Sequence, residues 1–208
     1  MQPSVHPRMS GEDRRRQLIE VAIDLFSKKG FGGTTTREIA AAAGVTEAII
    51  FRHFATKQDL YTAIIDYKGA SSGLDQWLTE AEAFMEANDD EGLFRLMVSK
   101  ILEMHRCESR FERLMIHAAL EGHELARMHH NQMSLGIGAR IKEYVERRQK
   151  AGALLQCDPS TLLFSVCGAA QFHAMQKYMY QLSDDQVSDE QMTNDFVRIL
   201  MHGVRGVQ

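Results

Sequence analysis

The feature that most restricts the fold of this 208-residue chain is the helical spacing of its apolar residues. Apolar side chains recur three or four positions apart along nearly the whole chain, and no segment of useful length alternates apolar and polar residues. Only three prolines occur, and two of them lie within the first seven residues. We therefore predict an all-α protein.

The composition, with 44% hydrophobic and 25% charged residues, is that of an ordinary globular protein. No apolar run approaches the ~20 residues of a transmembrane helix, and the N-terminus lacks the apolar core of a secretory signal. Three scattered cysteines do not suggest a disulfide framework, which favours a cytoplasmic location. The net charge is +2 over residues 1–68 and −6 over residues 69–208, so the first segment is the better candidate to meet an anion.

A helix of barely two turns is predicted after the sequence Gly44-Val45-Thr46. Gly44 can adopt the left-handed conformation that ends the preceding helix, and Thr46 can cap the next helix, from Glu47 to about residue 54. Another helix begins at Lys57. The three-residue turn is typical of a helix-turn-helix motif. A helix of about 12 Å suits the width of the DNA major groove, so we predict that it enters the groove.

Other capping patterns mark further helices. Ser10 with Asp13 opens the first helix, and Thr35 with Glu38 forms a capping box that opens the second. The pair at residues 158–159, Asp-Pro, begins a nearly apolar helix that reaches about residue 182, and the last helix covers about 189–205.

The stretch at residues 30–61 resembles the N-terminal domain of the TetR (tetracycline repressor) family. The matching segments are Thr34-Thr35, Ile39-Ala40, Ala43-Gly44-Val45-Thr46, Phe51-Arg52-His53-Phe54 and Lys57. The resemblance covers about residues 12–65. It implies a homodimeric repressor that binds a roughly palindromic DNA operator and releases it when a small molecule occupies the C-terminal domain.

On this basis we divide the chain into three parts. Residues 1–9 are predicted to be disordered, and residues 10–56 form a three-helix DNA-binding domain of the helix-turn-helix type. Residues 57–208 form a larger helical domain for ligand binding and dimerisation, with residues 57–68 as the connecting helix. We expect no cofactor and no membrane partner.

We expect DNA contacts from the starts of the second and fourth helices and from the third helix. The candidates are Thr35, Thr36, Arg37, Thr46, Glu47, Ala48, Ile49, Phe51, Arg52, His53 and Lys57. Phe51 stands where the family usually has tyrosine, so it can pack on a sugar or a thymine methyl group but cannot hydrogen-bond a phosphate. Glu47 either accepts a hydrogen bond from a cytosine amino group or caps its helix and points away from DNA. Arg37, His53 and Lys57 are expected at phosphates, with a solvated surface position as the alternative.

Apolar residues of the C-terminal domain suggest a ligand pocket and a dimer interface. The ligand candidates, predicted to lie between the helices at about 93–117 and 159–180, are Phe94, Met97, Ile101, Met104, Phe111, Met115, Phe164, Gln171 and Met175. The ligand would be apolar or aromatic; plain core packing is the alternative. The helix at 159–182 is apolar on most sides, which indicates a second packing partner. The interface candidates are Phe164, Cys167, Gly168, Phe172, Phe196 and Leu200.

Two other kinds of regulator remain open. One would bind DNA without sensing a small molecule, and its C-terminal domain would only dimerise or bind a protein. The other would sense metal through His117, Glu121 and Glu124, or would sense thiol oxidation, although such a His/Glu-rich stretch is more often a solvated face. We predict no metal site. The sequence contains no nucleophile elbow, phosphate-binding loop or paired-carboxylate motif, so we predict no enzymatic activity.

Overall fold

Ten α-helices and two π-helical segments, with no strand, account for the regular structure of residues 9–71, 74–182 and 187–204, which are the residues that the computed structural model describes. The α-helices are α1 (Gly11–Lys29), α2 (Thr36–Ala42), α3 (Glu47–His53), α4 (Lys57–Ser71), α5 (Leu74–Ala87), α6 (Asp90–Leu120), α7 (Glu124–Met133), α8 (Ala139–Lys150), α9 (Pro159–Ala174) and α10 (Asp189–Val204). The all-α prediction is confirmed. Residues 1–8 of the segment 1–9 that was predicted to be disordered, and the predicted end of the last helix at residue 205, lie outside the described residues.

Local capping determines where the first helices begin and end. The Ser10 hydroxyl accepts a hydrogen bond from the Asp13 amide at 3.0 Å. Thr35 and Glu38 form the predicted capping box, in which each side chain accepts from the other residue's backbone amide. Gly44 adopts a φ of +67°, so the predicted left-handed end of α2 is confirmed.

The predicted side-chain cap at Thr46 is wrong. Thr46 has the extended backbone of an N-cap residue, but its hydroxyl makes no capping hydrogen bond to α3. Because Thr46 is exposed, water can serve its hydroxyl at little cost.

The segment before α8 is not regular α-helix. A π-helical segment, Ser134–Gly138, separates α7 from α8, and Gly136 within it leaves helical geometry, with φ −84° and ψ −109°. A second π-helical segment, Met175–Tyr180, follows α9 and completes the helix that was predicted to reach about residue 182. None of the described helices is long and apolar enough to cross a membrane.

The chain separates into two compact units, which are described one at a time. The first comprises Met1–Ser72 and Arg110–Met128, and the second comprises Gly73–Ser109 and His129–Gln208. Helix α6 supplies residues to both, and its backbone departs from helical geometry at Glu108, with φ −128° and ψ 31°. The predicted domain boundary between residues 56 and 57 stays a prediction, because compactness does not test which residues bind DNA or ligand.

The core of the first unit holds the helix-turn-helix motif in place. It combines the apolar faces of α1 and α4 with Ile39 of α2, Ile50 of α3 and the half of α6 from Phe111 to Ala118. Ile50 and Phe54, four residues apart, are both buried, so they form the inward side of α3 and its C-terminal end.

The core of the second unit is formed by α5, the first half of α6, α8, α9 and α10. A buried polar cluster joins two of these helices. The Tyr144 hydroxyl donates to Asp90 at 2.5 Å, and the Arg148 guanidinium donates to both oxygens of the same carboxylate at 2.8 Å. Because all three groups find partners, Asp90 is accommodated at the start of α6 with little exposure.

Candidate DNA-binding surface

Helix α3 has one buried face and one open face. Its buried side is anchored by Ile50, whereas Ala48, Arg52 and Phe51, which is 49% exposed, face solvent. Such an exposed aromatic ring on a short helix is available for apolar contact with a nucleic acid.

Most of the predicted contact residues are open to solvent. Seven of them are exposed: Thr35, Arg37, Thr46, Glu47, Ala48, Phe51 and Arg52. The other four are partly buried: Thr36, Ile49, His53 and Lys57. The predicted set therefore gathers around the starts of α2, α3 and α4, although contact with DNA itself stays a prediction.

Helices α2 and α3 are fixed to each other by polar contacts near the turn. The Thr36 hydroxyl donates to the Glu47 carboxylate, and the Val45 amide donates to the Ala40 carbonyl at 2.9 Å. Glu47 thus uses one carboxylate oxygen, Oε1, within the motif. The exposure of Glu47 is consistent with the cytosine-reading hypothesis, but the contact to Thr36 also gives Glu47 a structural role.

Helix α1 contacts the helix-turn-helix motif through two residues that are not among the predicted contact residues. Arg15 donates to the His53 carbonyl at 3.1 Å, and its guanidinium lies 4.3 Å from the centre of the Phe54 ring. Gln17 donates to the Ala43 carbonyl at 3.3 Å. Arg15 therefore holds the end of α3, a role that no local pattern indicates because its partner is 38 positions away in the chain.

The electrostatics around His53 favour a neutral ring. Burial lowers the pKa of His53 below 6.5, and the positive charges of Arg52, Arg15 and Arg14 lower it further. At neutral pH His53 is therefore an uncharged hydrogen-bond donor, and a phosphate nearby would favour its protonation.

The side chain of Lys57 turns towards the protein rather than away from it. Its ammonium group donates to the Phe31 carbonyl and lies 4.0 Å from the centre of the Phe31 ring. Burial lowers the pKa of Lys57, and the negative charges of Glu121 and Glu38 counteract this effect. The predicted phosphate contact of Lys57 stays a prediction, and the structure supplies an alternative partner.

The predicted ligand residues divide between the two cores. Phe94 and Met97 are buried in the core of the second unit, and Ile101 packs against it. Phe111 lies in the core of the first unit instead, and Met115 packs against that core. The helical spacing is continuous along α6, but its two halves pack in different units, so no single core contains all the candidates.

A buried polar pair lies among these residues in the second unit. His105 is 1% exposed, its Nδ1 donates to the Ile101 carbonyl at 2.9 Å, and its Nε2 lies 3.1 Å from the amide nitrogen of Gln171. Gln171 is therefore engaged by a buried histidine in this structure. Met104 and Met175, the remaining candidates of this unit besides Phe164, are half-buried.

Helix α9 exposes a row of the predicted dimer residues. Phe164 is 73% exposed and Phe172 is 60% exposed, with the exposed Gly168 between them at four-residue spacing. Cys167, Phe196 and Leu200 are half-buried. Ile199 of α10, which the sequence analysis missed, is 68% exposed.

The residues considered for metal or thiol sensing have other surroundings. Glu121 accepts a hydrogen bond from the Phe31 amide at 3.0 Å, and Glu124 pairs with Arg127 at 3.1 Å. Within the described residues, no group of three or more histidine, cysteine or acidic side chains is arranged to hold a metal ion. The three cysteines are free thiols, and burial raises the pKa of Cys167.

Comparison with known proteins agrees with this arrangement. The profile of the family described as bacterial regulatory proteins, tetR family, matches residues 18–64. The HTH-type transcriptional regulator RutR of Escherichia coli K12 is 26% identical over 200 residues, which span 92% of this chain and 91% of RutR.

Two solved structures share the fold at low sequence identity. The fatty acid degradation regulator FadR from Bacillus halodurans has a TM-score of 0.68 at 17% identity, with 96% of this chain and 100% of FadR covered. AibR in complex with isovaleryl coenzyme A and operator DNA has a TM-score of 0.65 at 22% identity, with 90% and 98% covered. The chain and these neighbours share an all-α fold with an N-terminal helix-turn-helix domain and a helical C-terminal domain.

Proposed function

Since the chain belongs to the TetR family of DNA-binding transcriptional regulators, we propose that it is a homodimeric repressor released from a palindromic operator by a small apolar or aromatic molecule. The observation that carries the DNA-binding part is the open face of α3, with Phe51 and Arg52 exposed on a helix anchored by the buried Ile50. We place its action in the cytoplasm and expect it to act by binding rather than by catalysis.

The proposed recognition rests on exposed groups of different chemistry. Arg37 and Arg52 supply positive charge for phosphates or guanine edges, and Phe51 supplies an apolar surface for a thymine methyl group. Glu47 is the candidate for a cytosine amino group. A dimer places two such helices about one DNA turn apart, roughly 34 Å, and so reads two half-sites.

The exposed face of α9 supports dimerisation. An aromatic residue that is more than half exposed presents apolar surface to water, and both Phe164 and Phe172 do so. Each of them lies four residues, about one helical turn, from the glycine between them. Gly168 permits close approach of a partner helix because it has no side chain. We therefore assign Phe164 to the dimer interface in preference to the ligand pocket.

Two buried polar atoms in the second unit support ligand binding. The indole nitrogen of Trp77 and Nε2 of His173 are buried and have no hydrogen-bond partner among the described residues. Such orphaned groups are rare in folded proteins because burial without a partner costs free energy. A ligand that reaches either group with a polar atom would satisfy it, and the apolar core against which Trp77 packs would contact the apolar part of the ligand. AibR binds isovaleryl coenzyme A, in which a short apolar acyl group is joined to a large charged coenzyme, so a ligand with both an apolar part and polar groups has a precedent in this fold.

The proposal is tested in two steps with the full-length protein. First, the protein selects fragments from the genomic DNA of its source organism, and the enriched sequence should be an inverted repeat. Second, a library of apolar compounds is screened by thermal shift, and each stabilising compound is titrated against the protein bound to a fluorescent operator. We expect at least one compound both to stabilise the protein and to release the DNA.

Trp77→Phe tests the role of the indole nitrogen in the second step, because it removes the N–H group and keeps an aromatic ring. We expect the variant to bind operator normally and to respond to the compound at higher concentrations. Compounds that stabilise the protein without weakening DNA binding would refute the sensing function and leave the DNA-binding function standing.

A further inference from the structure

The loop between α1 and α2 is held by groups from distant parts of the chain. Its central residue, Phe31, donates its amide hydrogen to Glu121 at 3.0 Å and accepts a hydrogen bond at its carbonyl from the Lys57 ammonium group. Both backbone groups of one loop residue are therefore bound to charged side chains. Hydrogen bonds of this kind are stronger than those between neutral groups.

Glu121 occupies space that this loop leaves open. Gly30 has a φ of +71°, and a Cβ atom built on it would lie 2.1 Å from the Glu121 Oε1 atom. Glycine is thus required at position 30 both for the backbone conformation and for the close approach of the carboxylate. Glu121 lies in the short turn that directly follows α6.

His123 of the same turn adds a second attachment. Its ring centre lies 4.7 Å from that of Phe31 and 4.6 Å from that of Tyr61. The Leu125 amide donates to His123 Nδ1 at 3.2 Å, so Nε2 carries the hydrogen and donates to the side-chain oxygen of Gln58 at 3.0 Å. The turn therefore contacts the α1–α2 loop through Phe31 and the start of α4 through Gln58.

The loop leads directly into the DNA-binding motif. Four residues after Phe31 comes the capping box of α2 at Thr35, and the next residue, Thr36, donates to Glu47 at the start of α3. A shift of the loop would move the start of α2 and, through this contact, the start of α3. No part of this path requires Glu121 or His123 to touch DNA.

We propose that the turn formed by Glu121, Gly122 and His123 positions the recognition helix for its operator, with Glu121 as the principal positioning residue. The inference rests on the proposed operator binding. The turn directly follows α6, whose first half lies in the core of the second unit. The same covalent segment thus carries core residues of the second unit and the attachment of the loop.

The test compares Glu121→Ala with Glu124→Ala. Both remove one exposed carboxylate from the same short stretch, but Glu124 pairs with Arg127 and, among the described residues, has no hydrogen bond or ion pair with the loop. We measure affinity for the selected operator and for random DNA of equal length, well below the melting temperature of each variant. Glu121→Ala should weaken operator binding about tenfold and leave binding to random DNA unchanged, because the phosphate-binding side chains are intact. Glu124→Ala should bind both DNAs as the wild type does.

A second readout tests the mechanism without DNA. Hydrogen exchange at the Phe31 amide should accelerate in Glu121→Ala and not in Glu124→Ala. In a double-mutant cycle, Lys57→Met should weaken operator binding less in the Glu121→Ala background than in the wild type, because both residues hold Phe31.

The inference is overturned if Glu121→Ala binds operator within twofold of the wild type, or if it loses operator and random DNA affinity in equal proportion. Equal losses would indicate general destabilisation. Failure of the proposed function has a different signature, since the wild-type protein itself would then select no sequence. Hydrogen exchange at the Phe31 amide that is identical in both variants would also refute the positioning role of Glu121, whatever the DNA result.

Discussion

Replacement of Phe172 by aspartate tests where the dimer forms. In the single chain 60% of this side chain is exposed. Since a phenylalanine presents roughly 200 Å² when fully exposed, complete burial in a symmetric dimer would remove ~120 Å² per protomer and ~240 Å² per dimer from water. At about 25 cal/mol per Å², this corresponds to ~6 kcal/mol of association free energy.

The carboxylates would add a further cost, because two negative charges would enter an apolar contact. Part of the gross free energy is offset by side-chain ordering and imperfect fit, so we expect the dimer dissociation constant to rise between about a hundredfold and ten-thousandfold. Sedimentation velocity over a range of protein concentrations measures the change. Operator affinity should fall with dimerisation, because one protomer reads only one half-site.

Leu155→Asp is the matched control. It places the same charge at another exposed apolar side chain, 38% exposed and outside α9 and α10. The control should remain dimeric with normal operator affinity. A Phe172→Asp variant that stays folded and fully dimeric would show that the interface lies elsewhere, and Phe164 would then need another role.

Three further predictions concern the DNA-binding surface. Arg37→Ala should weaken binding to all operator variants alike and reduce the salt slope, the dependence of log affinity on log salt concentration, by about one. Lys57→Met should leave this slope unchanged because the Lys57 ammonium group is bound within the protein. Affinity titrations at several salt concentrations distinguish the two, and a reduced slope for Lys57→Met would indicate a phosphate contact. Glu47→Ala should alter base preference at one position of each half-site, and identical selected sequences for both proteins would rule out cytosine reading. His53 has a lowered pKa in the free protein, and a phosphate would raise it, so binding should take up a proton and tighten as pH falls from 8 towards that pKa. His53→Gln should abolish this dependence in anisotropy titrations, and a dependence that persists would assign the proton to another group.

The helix ends were predictable where the information lies within about four residues. The capping box of Thr35 and Glu38 needs only two side chains and two amides of the same turn. The N-cap at Asp158 is equally local, since its carboxylate accepts from the Thr161 amide at 2.9 Å. Even so, Thr46 shows that a suitable residue at an N-cap position does not guarantee the side-chain bond.

The packing of α6 was not predictable from its pattern. Apolar residues continue at helical spacing from Phe94 to Met115, which suggested one interior for all of them. The helix instead changes its backbone geometry at Glu108, and no proline or glycine in residues 104–110 signals the change. Which core each half enters depends on partners far away in the chain, and periodicity carries no information about them.

Lys57 illustrates the same limit for a charged side chain. The sequence locates it at the start of α4, but its flexible four-carbon stem can reach either an external phosphate or an internal carbonyl. The Phe31 carbonyl that it binds is 26 positions away, and the aromatic ring beneath it and the carboxylate of Glu121 favour the inward position. A phosphate would recruit this ammonium group only by breaking its bond to the loop. Contact of Lys57 with DNA and attachment of the α1–α2 loop are therefore competing states of one side chain, and the salt slope of Lys57→Met decides which of them exists on the operator.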